Sequence, residues 1–129
     1  MTLHIDLRPY EAVRVGRAVI AAGPARIAFS VAGSEPVLRE RDMINEKDVA
    51  SPASRLRFLL QEVYLESRSR EEAHDEILDA ARAVFFADHS HQGALQKIVS
   101  HFEEGDLFRA LKTAIRLHED TKPKTAGRR

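Results

Sequence analysis

Polar and apolar positions alternate every second residue through the first third of the chain and every three to four residues after it. Leu3, Ile5 and Leu7 alternate with His4, Asp6 and Arg8, the pattern of a strand buried on one face. Pro9 has no N–H to donate and ends that ladder. Val13 and Val15 flank Arg14, and Gly16 marks a turn before a third short strand at residues 18–21. Gly23-Pro24 separates this from Ile27, Phe29 and Val31, which alternate again, and Gly33-Ser34 and Pro36 lead into a fifth strand over residues 37–41. Connections this tight forbid parallel crossovers, so the spacing predicts one small antiparallel five-stranded sheet, a meander or Greek key. A sheet of this size is marginal by itself and needs something to pack on, either the rest of the chain or a second copy.

The helical period begins after a polar link at residues 45–50. Ser51-Pro52 predicts a helix start, with serine as cap and proline in the first turn. Leu56, Leu59, Leu60 and Val63 then form one apolar stripe. Ser69 with Glu72 three residues on predicts a capping box for a second helix, with Ile77, Ala81, Val84 and Phe85 on its inner face. A third helix is expected after Ser90, carrying Leu95, Ile98, Val99 and Phe102, and Gly105 stops it. Asp106 caps a fourth, with Leu107, Leu111, Ala114 and Ile115 inward. The predicted class is α+β: a β domain at 1–45, a bundle of about four helices at 51–121, and a basic disordered tail at 122–129.

Composition narrows the function. Hydrophobic residues make up 43% of the 129, enough for a core. The 20 basic and 20 acidic side chains cancel, so any attraction for a polyanion must come from a local patch. The chain has no cysteine, which excludes disulfides and thiolate metal sites and fits a reducing compartment. No apolar run approaches the roughly 20 residues of a membrane span, and Asp6 and Arg8 place charge where a signal peptide would be apolar. A soluble cytoplasmic protein is expected.

Catalytic and metal chemistry find little support. His89 and His91, with His74 or His101, lack a recognised ligand spacing and read better as loop residues, and His101 and His118 as residues at a core boundary. Glu71-Glu72 and Glu103-Glu104 are consecutive, so their carboxylates diverge around a helix. There is no phosphate loop, nucleophile elbow or Ser-His-Asp order. No enzyme and no cofactor are expected.

The strand half carries the remaining signal. Between residues 3 and 41 every basic residue is an arginine: Arg8, Arg14, Arg17, Arg26, Arg39 and Arg41, against Asp6, Glu11, Glu35 and Glu40. Arginine stacks and donates in a planar fork, which suits phosphate and bases. If residues 37–41 are extended, Arg39 and Arg41 point the same way and present paired guanidiniums. The same pattern also fits a solvated strand face.

These residues carry a resemblance. Leu-x-Ile-x-Leu-Arg-Pro-x-Glu at residues 3–11, Gly16, Ala18-Val19-Ile20, Pro36-Val37-Leu38-Arg39-Glu40, Ser51-Pro52-Ala53-Ser54-Arg55, Tyr64-Leu65 and Ala110-Leu111-Lys112 together resemble the FlbT family of flagellin translation repressors. The resemblance implies binding to the 5′ untranslated leader of flagellin messenger RNA and repression of its translation or lifetime. Tyr10 stands where that family has glycine, so the first turn is expected to differ in shape. The strand half also resembles carbon storage regulator proteins, five-stranded RNA binders that form intertwined dimers, through Arg8, Glu11, Gly16, Arg26-Ile27 and Val37-Leu38-Arg39-Glu40. That second resemblance implies a homodimer through the β domain, with Arg39 the chief RNA contact, Arg8 a supporting one and Ile5 helping to hold a base; Leu7 stands where a further basic residue is expected.

The expectation is therefore a post-transcriptional regulator in which Arg39 and Arg8 contact RNA and Arg14, Arg17 and Arg41 attract phosphate. The rival is a protein–protein adaptor in flagellar assembly, whose helical domain docks another flagellar regulator. In that case the stripe from Leu56 to Val63 is a groove rather than core.

Overall fold

The computed structural model describes residues 2–122, and the chain divides after Met43 into two compact units. The basic tail expected at 122–129 lies, beyond Lys122, outside the described residues.

The first unit contains β1 (Thr2–Leu7), β2 (Ala12–Val15), β3 (Ala18–Ala21), β4 (Ile27–Ala32) and β5 (Val37–Arg39). They form two sheets, not one: β1 pairs antiparallel with β4, and β2 lies between β3 and β5. The expectation of a single five-stranded sheet fails at residues 8–11. There Glu11 N–H donates to the Arg8 carbonyl (3.0 Å), closing a turn with Pro9 second and Tyr10 third. Tyr10 N–H then donates to Gly23 O and Ala22 N–H to Glu11 O, both at 2.9 Å, so the corner residues extend the β2–β3 ladder and turn the chain out of the β1 sheet. Tyr10 sits at φ 64°, the left-handed conformation that glycine adopts without strain. The first turn therefore has the shape a glycine would take, with tyrosine bearing its strain.

Ile5 and Leu7 of β1, Val13 of β2 and Ala22 form the buried centre of this unit, with Ile20, Ile27, Phe29, Val31 and Val37 half-buried around them. The fifth strand stops at Arg39, short of the expected Arg41, because Glu40–Asp42 form a 3₁₀ turn. Its side chain replaces the next rung of the ladder: Glu40 Oε1 accepts from Ala12 N–H at 3.0 Å.

The second unit holds α1 (Pro52–Tyr64), α2 (Arg70–Ala87), α3 (Gln92–Glu103) and α4 (Leu107–Thr121). The starts of α1, α2 and α4 have local causes. Ser51 Oγ accepts from Ser54 N–H (3.1 Å) while Ser54 Oγ accepts from Ser51 N–H (2.8 Å), and Ser69 and Glu72 make the equivalent exchange. Asp106 accepts from Arg109 N–H (3.2 Å), and Gly105 at φ 83° ends α3. The α1 stripe is core, with Leu56 and Leu60 fully buried against α2 and α4. On α4 the buried face is rotated from the expected one: Leu107 and Ile115 are half-exposed, and Ala110, Leu111, Ala114, Leu117 and His118 point inward.

Candidate nucleic-acid interface

The antiparallel register sorts the arginines of the β unit by position. Val13 lies opposite Arg39 and Val15 opposite Val37, so β5 ends beside the start of β2, near the corner at residues 8–11. Arg8 in the corner, Arg39 at the end of β5 and Arg41 in the 3₁₀ turn therefore share one end of the unit. Arg17, in the turn between β2 and β3, lies at the other end. The four residues of β2 set the two ends about 13 Å apart, at roughly 3.3 Å per residue.

Within the first cluster the side chains differ. Arg8, Arg17 and Arg41 are exposed, and no carboxylate pairs with them among the described residues. Arg39 is half-buried. It shares a sheet face with its cross-strand partner Val13, the face turned toward the core, and its Nη1 donates to the main-chain carbonyl of Asp6 on β1 at 3.3 Å. It thus joins the two sheets through a carbonyl rather than a carboxylate clasp. The Asp6 carboxylate is instead paired with Arg26 (3.2 Å). Arg39 and Arg41 do not form a same-face strand pair, since the extended backbone required for that ends between them. Arg14 is half-buried and its Nε donates to Gly16 O at 3.0 Å. Ile5, expected to hold a base, is 3% exposed at the centre of the core. Its alternation with Leu3 and Leu7 carried the packing role, and the resemblance to the carbon storage regulators misplaced it.

The helical unit holds a polar arrangement that sequence reasoning did not collect. Arg57 of α1 is buried and meets His118 and Glu119 of α4, with Nη1 3.1 Å from His118 Nδ1 and 3.4 Å from Glu119 Oε1. No periodicity argument pairs residues so far apart in the chain. On α2, Glu76 accepts from Arg68 (2.6 Å) and Arg55 (3.1 Å), and the Arg68 bond chiefly holds its carboxyl below the usual range. Hydrogen bonds that the His74 ring donates to the carboxylates of Asp75, then Glu103, raise its pKa above the ordinary value. Among the described residues no three His, Cys, Asp or Glu side chains converge as metal ligands, and no helix is long and apolar enough to cross a membrane.

The fold defines a small α+β protein of two units, an arginine-bearing pair of packed sheets followed by four helices. The family described as flagellar protein FlbT matches residues 3–121. The chain belongs to the FlbT family. It is 30% identical over 118 residues to the probable flagellum biosynthesis repressor protein FlbT 1 of Bradyrhizobium diazoefficiens, covering 91% of this chain and 80% of the relative. It is 27% identical over 112 residues to a protein of Rhodopseudomonas palustris named probable flagellum biosynthesis repressor protein FlbT, covering 87% and 88%. No solved structure matches.

Proposed function

We propose that this protein represses flagellum biosynthesis by binding the leader of flagellin messenger RNA through the arginines of its β unit. The relatives' names support the repressor role. The observation that carries the RNA reading is the placement of exposed, carboxylate-free Arg8 and Arg41 at one end of the β unit beside Arg39. Arg39 commits one N–H group to a carbonyl, and a guanidinium has five to offer, so it retains donors for phosphate. Arg17 and Arg14 add attraction at the far end. The site of action is the cytoplasm, where messages are translated.

The protein acts as a homodimer through the β unit. Strand β4 has one neighbour, β1, and its other edge carries no charged side chain. Uncharged free edges are the surfaces that pair with a second copy. Light scattering on the purified chain decides between monomer and dimer.

The experiment is a gel shift with a flagellin leader RNA. The triple variant R8A/R17A/R41A is expected to bind roughly tenfold more weakly at moderate salt, with a log–log salt slope shallower by about 2, since each lost phosphate contact on a single strand removes about 0.7. Failure of the unaltered protein to bind any leader would sink the reading. A second reading, an adaptor docking another flagellar regulator, is favoured by Phe86, which is 73% exposed at the end of α2 beside the stacked Phe85–His89 pair. Partner capture that survives RNase and loss of the β-unit arginines would support it.

A further inference from the structure

We propose that the groove between α3 and α4 is a second RNA-contacting surface, which seats the phosphate backbone of a single strand. The proposal rests on the RNA-binding reading above and adds a site to it.

Lys97 of α3 and Arg109, Lys112 and Arg116 of α4 wall an open groove of about 850 Å³, with His91 and His101 at its edge. Asp120 is the one carboxylate among its lining residues. This concentration runs against the composition of the unit, because residues 44–122 contain 15 acidic and 11 basic side chains. On α4 the three cations recur at intervals of three and four residues, which puts them on one face along about 10 Å of helix at 1.5 Å per residue. A merely solvated helix face interleaves both signs, whereas between residues 107 and 118 there is no acidic residue. Among the described residues Lys97 and Arg116 have no carboxylate partner. Arg109 has its own capping aspartate, Asp106, at 3.5 Å.

An aromatic ring decides between nucleic acid and an acidic peptide. Phe108 borders the groove without lining it and is 47% exposed; it rests against the Tyr64 ring of α1 (centroids 5.7 Å apart), and Lys112, one turn further along α4, holds its Nζ 5.9 Å over the ring. An exposed ring beside a row of cations is the arrangement on which single-stranded bases stack while phosphates follow the charges. An acidic peptide would use the charges alone and gain nothing from the exposed part of the ring.

The test is fluorescence anisotropy of labelled flagellin leader RNA with the full chain, K97A/R109A/R116A, the charge-keeping K97R/R109K/R116K, and R116E, a single exposed change that keeps the assay decisive if the triple variant melts early. Expected are a loss of about tenfold or more for the alanine triple, a salt slope shallower by about 2, a loss of at least about threefold for R116E, and near-native binding for the charge-keeping variant. Native binding by both K97A/R109A/R116A and R116E, with loss confined to R8A/R17A/R41A, overturns the groove and leaves the function standing. No RNA binding by the unaltered chain overturns both. Binding of polyglutamate as tight as of RNA, lost in R116E, overturns the RNA assignment in favour of an acidic protein partner.

Discussion

Arg57 and His118 meet in the interior of the helical unit, the arginine on α1 donating from Nη1 to Nδ1 of the histidine on α4 at 3.1 Å. An arginine cannot accept, so His118 keeps its neutral-state proton on Nε2. Burial first, then the Arg57 charge, lowers the His118 pKa below its ordinary value, although Glu119 pulls the other way. Above pH about 6.5 both folded and unfolded chains hold His118 neutral. As the pH falls below that value the unfolded chain takes up a proton that the folded one resists, so this contribution to stability is lost toward acid. His74, whose pKa is raised, has the opposite sign and favours the fold in acid. Substituting glutamine at His118 keeps an acceptor and removes the titration. Between about pH 7.5 and 5.5, H118Q is expected to lose less melting temperature than the unaltered protein. Parallel pH profiles would refute the coupling.

Tyr10 bears a left-handed backbone in the turn over residues 8–11, and its side chain is 73% exposed. Tyr10→Gly is expected to raise the stability of the β unit by about 1 kcal/mol, because the strain is relieved and little packing is lost. Gly16 is the opposite case. It sits at φ 57°, and a Cβ there would lie 3.2 Å from Glu35 Oε1, so Gly16→Ala is expected to destabilise by about 1 kcal/mol or more. Thermal unfolding of the two variants side by side checks the pair, and a shift in the same direction for both contradicts the turn assignment.

Arg39 ties β5 to β1, and under the proposed RNA-binding function its other donors are the ones offered to phosphate. Arg39→Ala is expected to lose about 1 kcal/mol of stability and several-fold in RNA affinity. Native affinity in moderate salt would leave Arg39 as a structural tie alone.

Leu60 is fully buried on the α1 stripe. Leu60→Ala is expected to cost about 3 kcal/mol, measured by urea denaturation, through lost transfer energy and the cavity left behind. A variant of native stability that lost a protein partner would return the stripe to the role of a docking groove.

The helix starts were legible because their signals are local. Ser51 with Pro52, Ser69 with Glu72, and Asp106 after Gly105 each state a boundary within four residues, and the structure places caps at all three. The partition of the strands was not legible, because it depends on which distant strand β1 meets once Pro9 and Tyr10 have turned the corner. The pairing of Arg39 with Arg41 failed for a related reason: the carboxylate of Glu40 takes a rung of the ladder and lets the backbone coil into a 3₁₀ turn. The cation spacing of Arg109, Lys112 and Arg116 stood in the sequence, but Lys97 joins it only when α3 packs on α4.

The register of the strands has a consequence in time. Thr2 pairs with Ala32 and Val13 with Arg39, so neither sheet can close until most of the β unit has been synthesised. Long-range pairings of this kind form slowly, while the caps of α1 and α2 nucleate from a few neighbouring residues. On the ribosome the slower half therefore emerges first and the faster half last, and β1 must wait unpaired for β4, and the β2–β3 hairpin for β5, in the interval.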